Sequence, residues 1–134
     1  MRVVFDTNVL VSAFTSIGLC HQAYERALTR TDIIIAHRLL DELHRTLVGK
    51  MKIEKSLADE ILAELADELE VIKPLPLSKP ICRDKDDDWV LATALTGHGE
   101  IIVSGDKDLL VLKQFQGIKI LSPRQFIEFM DAQK

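Results

Sequence analysis

Cysteine, proline and aromatic side chains are scarce in this chain: two Cys, four Pro and 5% Phe, Tyr and Trp among 134 residues. Cys20 and Cys82 lie far apart, without CxxC or Cys/His spacing. That removes a disulfide framework and a structural zinc site, and leaves two small hydrophobic thiols. Long apolar runs are missing too. The longest are three or four residues, against roughly 20 for a bilayer span. The start, MRVVFDTNVL, interrupts its hydrophobicity with an Asp and offers no small-residue cleavage site, so no signal peptide and a cytoplasmic location are expected. Nor is there an excess of positive charge. Seventeen Lys and Arg against 21 Asp and Glu give a net charge of −4, although phosphate affinity comes mainly from Lys and Arg. Where the charges sit therefore matters more than their sum. What is present is a 47% hydrophobic composition, too apolar for disorder. The length fits one domain over residues 1–134 that holds a core without disulfides or metal.

Strand-like and helix-like segments alternate. Arg2–Phe5 is a β-branched and aromatic run that ends in the cap and turn chemistry of Asp6-Thr7-Asn8. Helical patterns follow through Val9, Leu10 and Ala13, and over His21 to Leu28. Ile33–Ala36 has no polar alternation and reads as a buried strand. Leu39, Leu40, Leu43 and Leu47 recur at helical spacing, and Ser56 is expected to cap a helix with its stripe at Ile61, Leu62, Leu65 and Leu69. Val71-Ile72 is a short strand candidate, and residues 73–85, with Pro74, Pro76 and Pro80, read as an extended connection. Asp86-Asp87-Asp88 opens a helix with its core side at Val90, Leu91, Ala94 and Leu95, closed by Gly97 and Gly99 as C-cap glycines. Ile101–Val103 is a strand, followed by a helix through Leu109, Leu110, Leu112 and Phe115. Ile118–Leu121 is the last strand, and Pro123 opens a terminal helix. The pattern predicts one α/β domain around a mainly parallel, five-stranded sheet.

In such a sheet, the loops after the strands' carboxyl ends gather on one edge and carry ligand sites. Asp6 follows the first strand, Asp106 the Ile101–Val103 strand, and Glu42 lies in the helix after Ile33–Ala36. Asp87 joins them if its helix packs in the usual way. Each acid alone has an ordinary explanation. Asp6 and Asp106 suit helix N-caps, Glu42 has Arg38 and Arg45 as ion-pair neighbours, and Asp84, Asp86, Asp87 and Asp88 complement a helix dipole. Together they do not. Two carboxylates roughly 4 Å apart repel by about 4 kcal/mol at an effective dielectric near 20. Four on one edge raise their pKa values or demand a cation. Hard oxygen donors without clustered His or Cys favour Mg²⁺ or Mn²⁺, the apparatus of phosphodiester hydrolysis.

The runs VVFDTNVLVSAF, LLDEL, RDKDDDWVLATAL and IIVSGDKDLL, with ILSPRQFIEF after them, resemble those of PIN-domain proteins. The resemblance is to the small VapC-like branch of toxin–antitoxin pairs, and it runs from Val3 to about Phe129. It implies a three-layer α/β/α domain and a metal-dependent ribonuclease. The family's acids fall on Asp6, Glu42, Asp87 and Asp106, the third with Asp84, Asp86 and Asp88 as neighbours. Asn8 and Ser104 match polar positions that orient the acids or water, and Asp108 is an auxiliary acid. The resemblance implies that Asp6, Asp87 and Asp106 hold Mg²⁺ or Mn²⁺, and that Glu42 helps bind the ion or acts as general base. Arg38, Arg45, Lys50, Lys52 and Lys55 are candidates for following the RNA backbone, against the plainer reading of a solvated helix face and loop. His37 departs from the family, whose members often carry a capping Ser there. A homodimer and an antitoxin partner are the further implications, with no membrane association.

Competing readings fit less well. A haloacid-dehalogenase-type phosphatase needs a second carboxylate two residues after the first, where this chain has Asn8. A response-regulator receiver needs an acidic pair after the first strand, and only Asp6 is there. A PIN module that binds RNA or a partner protein without catalysis is the alternative from another class; retention of all four acids stands against it. Trp89 is a candidate for stacking on a base or filling a subunit contact, against the plainer reading of a partly buried packing residue. His21, His37, His44 and His98 are expected to be surface or cap residues.

Overall fold

The computed structural model describes residues 1–133. The chain runs β1 (Arg2–Phe5), α1 (Thr7–Thr15), α2 (Leu19–Arg30), β2 (Asp32–Ala36) and α3 (His37–Arg45). After a π-helical turn at Thr46–Lys50 come α4 (Lys55–Glu68), β3 (Glu70–Ile72), α5 (Lys85–Thr96) and β4 (Ile101–Val103). The last elements are α6 (Lys107–Leu110), β5 (Gln114–Phe115), β6 (Ile118–Leu121) and α7 (Pro123–Ala132). The strands form one sheet in the order β3-β2-β1-β4-β6-β5, parallel except for β5 against β6. No helix among the described residues is long and apolar enough to cross a membrane.

The uninterrupted apolar strands have helices on both sides. Because strand side chains alternate, Val3, Phe5, Ile33, Ile35, Ile101 and Val103 share a core with Leu10, Ala23, Leu39, Leu43, Leu65 and Phe126, from α1, α2, α3, α4 and α7. Val4, Ile34, Ile102 and Ile120 point the other way, onto Val90, Leu91 and Ala94 of α5 and Leu109 of α6. Full burial of each large side chain stabilises by about 1.5–3 kcal/mol. This is the α/β/α layering that the family resemblance implied, around the mainly parallel sheet that the alternating pattern predicted.

Several local expectations give way. The sheet has six strands rather than five, because the helix expected through Phe115 stops at Leu110. Gln116 and Gly117 take positive φ (49° and 84°) between paired Phe115 and Ile118. That is the left-handed backbone conformation a two-residue hairpin needs to match the right-handed twist of its strands, and it turns Gln114–Phe115 into an edge strand. The helix expected to continue through Leu47 leaves α geometry at Thr46, although Leu47 stays fully buried. Helix α4 starts one residue before Ser56, with Glu54 at the N-cap and no side-chain cap. Gly97 does cap α5, but the left-handed residue is His98 (φ 57°). His98 and Gly99 donate back to the carbonyls of Leu95 and Ala94, a Schellman closure. Gly97 also keeps the approach close: a Cβ there would lie 3.1 Å from Ile34 Cγ2 and Ile72 Cδ1, and those side chains would have to give way.

Candidate active site

Chain order makes the site. From β1 the chain moves outward through β2 to β3, then returns to β4 on β1's other side. Loops after β1 and β4 therefore diverge from neighbouring strands and leave a crevice, the usual ligand position in open α/β sheets. The Asp6 N–H donates to the Val103 carbonyl at 3.0 Å, tying the two strand ends together. Ser104 completes the joint. Its buried hydroxyl donates to Asp6 Oδ2 at 2.9 Å, and its Oγ accepts the Asp106 N–H at 3.0 Å.

Asp6 is the N-cap residue of α1, as its position suggested, but its side chain does not cap the helix. Burial pushes its carboxyl above the ordinary value; the Ser104 hydroxyl and the Thr7 N–H pull it down, and Asp106 and Asp86 push it up again. Asp106 does cap α6, accepting from the Asp108 N–H at 2.8 Å. Glu42, one helical turn into α3, is half-buried. Its carboxyl is raised by burial, then by Asp86 and Asp6, with Arg45 opposing and Asp84 adding. These mutual shifts mean the acids sense one another across elements.

The aspartate run at 84–88 separates by role. Asp84 is the N-cap of α5 and accepts from the Asp86 N–H at 2.9 Å. Asp88 accepts the Cys82 N–H at 2.7 Å and holds the proline-rich connection onto α5. Asp86 is exposed. Asp87 is 5% exposed, and its Oδ2 has no hydrogen-bond partner. Burial, followed by Asp106, Asp6, Asp84 and Asp108, pushes its carboxyl up to about 7. Carboxylate oxygens of Asp87, Asp106 and Asp108 lie within 4.8 Å of one another. Asp108, an auxiliary acid in the sequence pattern, thus stands in the tightest group, and Asp6 joins it through Ser104 and Asp106.

Other candidates scatter. Asn8 is exposed and shares a cleft of about 230 Å³ with Asp106, Ser12 and Cys20. Arg38 lies over the half-buried Trp89 ring, its guanidinium carbon 4.1 Å from the centroid. Lys55 pairs with Asp59, which also meets His44. Arg45, Lys50 and Lys52 are exposed. The departure at His37 costs no cap, because Ala36 occupies the N-cap position of α3 and His37 is its first helical residue. Both cysteines are free, and burial pushes the Cys82 thiol up to about 11.

Two residues are not singled out by the sequence pattern. Thr7 is 3% exposed with an unpartnered Oγ1 beside Asp6, and its place between Asp6 and Asn8 was the available signal. Arg83 donates to Asp108 at 2.7 Å, bringing a cation to the acid group from a connection with no recognisable pattern.

A geometry of this kind can bind a hard dication. The donor set is all oxygen, and Asp87 Oδ2 is a buried acceptor without a donor. Comparison with solved structures gives the same fold. VapBC2 from Rickettsia felis, bound to a DNA fragment from its promoter, matches with a TM-score of 0.66 at 17% identity, over 91% of this chain and 98% of that one. No curated protein sequence matches the chain. The family model for the PIN domain matches residues 2–108, a span that holds β1 through β4 and all of the acids described above, and the chain belongs to that family.

Proposed function

We propose that the protein is a Mg²⁺- or Mn²⁺-dependent endoribonuclease, acting as one domain over residues 1–134, and the toxin of a cytoplasmic toxin–antitoxin pair. The observation that carries this reading is Asp87: a buried carboxylate pushed up to about 7, with an unpartnered oxygen, grouped with Asp106 and Asp108. A folded protein keeps such a group where a cation or a proton relieves it. Asp87, Asp106 and Asp108 would hold the ion directly. Asp6, steadied by Ser104, would do so directly or through water. A divalent ion held by these residues would supply positive charge against the phosphate and lower the pKa of a bound water.

The chain's own groups supply the rest. Glu42 takes the proton of the attacking water or lends an oxygen to the ion; burial, Asp86 and Asp6 raise its carboxyl, which makes it a stronger base than a free carboxylate. Ser104 fixes the Asp6 carboxylate and the Asp106 backbone in one orientation. Arg38 and Arg45 on α3, Lys50 and Lys52 after it, and Lys55 at the start of α4 guide the RNA backbone. The fold shared with a VapBC2 complex supports a protein partner of the antitoxin kind, and a homodimer follows from the resemblance to VapC-like proteins. Co-purification with the neighbouring gene product and sedimentation at micromolar concentration test those two points.

Single-stranded RNA incubated with Mn²⁺ or Mg²⁺ tests the activity, against chelator and Asp6→Asn. Cleavage that needs both metal and Asp6 is expected. Cleavage that survives both controls overturns the reading, and RNA retained without turnover in the presence of metal leaves a binding module.

A further inference from the structure

On the outer side of α5, across the helix from Asp87, Lys85, Asp88 and Trp89 form one helical face beneath the connection that includes Leu77, Lys79 and Pro80. The cleft between them measures about 310 Å³, enough for one ring system with its substituents. Asp88 forms part of its wall, with its oxygens turned to the backbone of the connection. The Asp88 carboxylate accepts the Cys82 N–H at 2.7 Å and the Ile81 N–H at 3.3 Å, which pins the connection to the helix. Lys79 and Lys85 are exposed, and neither takes part in an ion pair among the described residues. Arg38 covers part of the indole at 4.1 Å and does not line the cleft, so the cleft meets the ring elsewhere. One cation thus lies over the indole, and two more line the cleft that the same residue borders.

We propose that this cleft is a nucleotide subsite, taking one base of a single-stranded RNA against Trp89 and the adjoining phosphate between Lys79 and Lys85. The inference rests on the ribonuclease reading and deepens it: the substrate is a single strand whose bases are free to stack. Aromatic rings accept any base by its π-face, and unpaired lysines accept the backbone phosphate. A duplex, with its bases stacked inward, has nothing to insert. The strand leaves the acid cluster over the N-terminus of α5 and meets Trp89 within the first turns of that helix.

Trp89 is the one tryptophan of the chain, so its emission reports on the cleft. A dye-labelled single-stranded RNA is titrated into the wild-type protein in chelator, with anisotropy and tryptophan emission read together. Emission is expected to change saturably, with the anisotropy midpoint. Trp89→Leu weakens binding on the order of ten-fold, and Trp89→Phe much less. Lys79→Ser and Lys85→Ser each weaken it, lowering the slope of log affinity on log salt by about 0.7 for each phosphate no longer neutralised. RNA that binds with no change in Trp89 emission, or with affinity and salt slope untouched by the lysine variants, overturns the subsite while leaving the nuclease standing. Emission that follows RNA binding in a protein that never cleaves keeps the subsite and removes the nuclease. Absence of RNA binding in chelator overturns the subsite, while the metal-dependent cleavage assay decides the nuclease separately. A response only to a protein partner overturns the subsite and gives the cleft to that partner.

Discussion

Asp6 and Asp87 are buried almost equally, 7% and 5% exposed, yet they live in different electrostatic worlds. Asp6 receives the Ser104 hydroxyl and the Thr7 N–H, and both offset its burial. Asp87 has burial and four neighbouring carboxylates against it and no donor on Oδ2, so its carboxyl rises to about 7. Burial alone does not decide the charge of a site; the donors supplied with it do. One half of this crevice has its acid satisfied by protein donors. The other leaves a buried carboxylate oxygen without one.

The sharpest way to break the contrast is Asp87→Asn. Cleavage is expected to fall about a hundred-fold or more, because loss of groups even one step removed from a metal costs roughly 10–100-fold. The metal-free variant should at the same time be more stable than the wild type at pH 8, by on the order of a few kcal/mol. The sign follows from the raised carboxyl. Near pH 3 Asp87 is protonated whether the chain is folded or not, and the two proteins differ least. As pH rises from about 4 to about 7, the unfolded chain releases that proton while the folded one keeps it, and the wild type loses stability until the gap is complete. Thermal melts across pH 4–8 measure it, and equal melting profiles for the two proteins would show that Asp87 is not strained. Mn²⁺ at about 100 times its dissociation constant should stabilise the wild type by about 2.7 kcal/mol and the variant by much less.

Ser104→Ala probes the satisfied half, with a smaller effect. Asp6 then loses its side-chain donor, and the Asp106 N–H loses its acceptor. Metal affinity should drop by roughly 10–100-fold and stability by about 1–3 kcal/mol, read by calorimetric titration and melting. An unchanged affinity would mean that Asp6 stands outside the ion's environment. Arg83→Gln gives the smallest effect. The pair with Asp108 is exposed on the arginine side, so metal-free stability should move by less than about 1 kcal/mol. Metal affinity should rise slightly as the competing cation leaves; a fall would make Arg83 part of the binding arrangement.

Much of the scaffold was legible because its signals are local. Three consecutive isoleucines at 33–35 leave no polar face, so a buried strand was the consistent choice, and both sheet faces confirm it. Ser122-Pro123 opened α7 as expected, with Ser122 and Gln125 forming a reciprocal cap. The strand at Gln114–Phe115 was not legible, because its apolar spacing continues that of α6 and only the backbone at Gln116-Gly117 turns it around. Within the acid run, four aspartates in five positions look alike in sequence. Burial and backbone partners separate them.

Residue chemistry along the chain determined the alternation of strands and helices, the edge to which the acids belong and the oxygen-only character of the donors, since each depends on neighbours a few positions away. Tertiary structure alone decided that Asp108 stands with Asp87 and Asp106, that Asp88 is spent on holding a loop, and that Asp87 lacks a donor. Those outcomes depend on distances between elements, and no local pattern encodes a distance across the sheet.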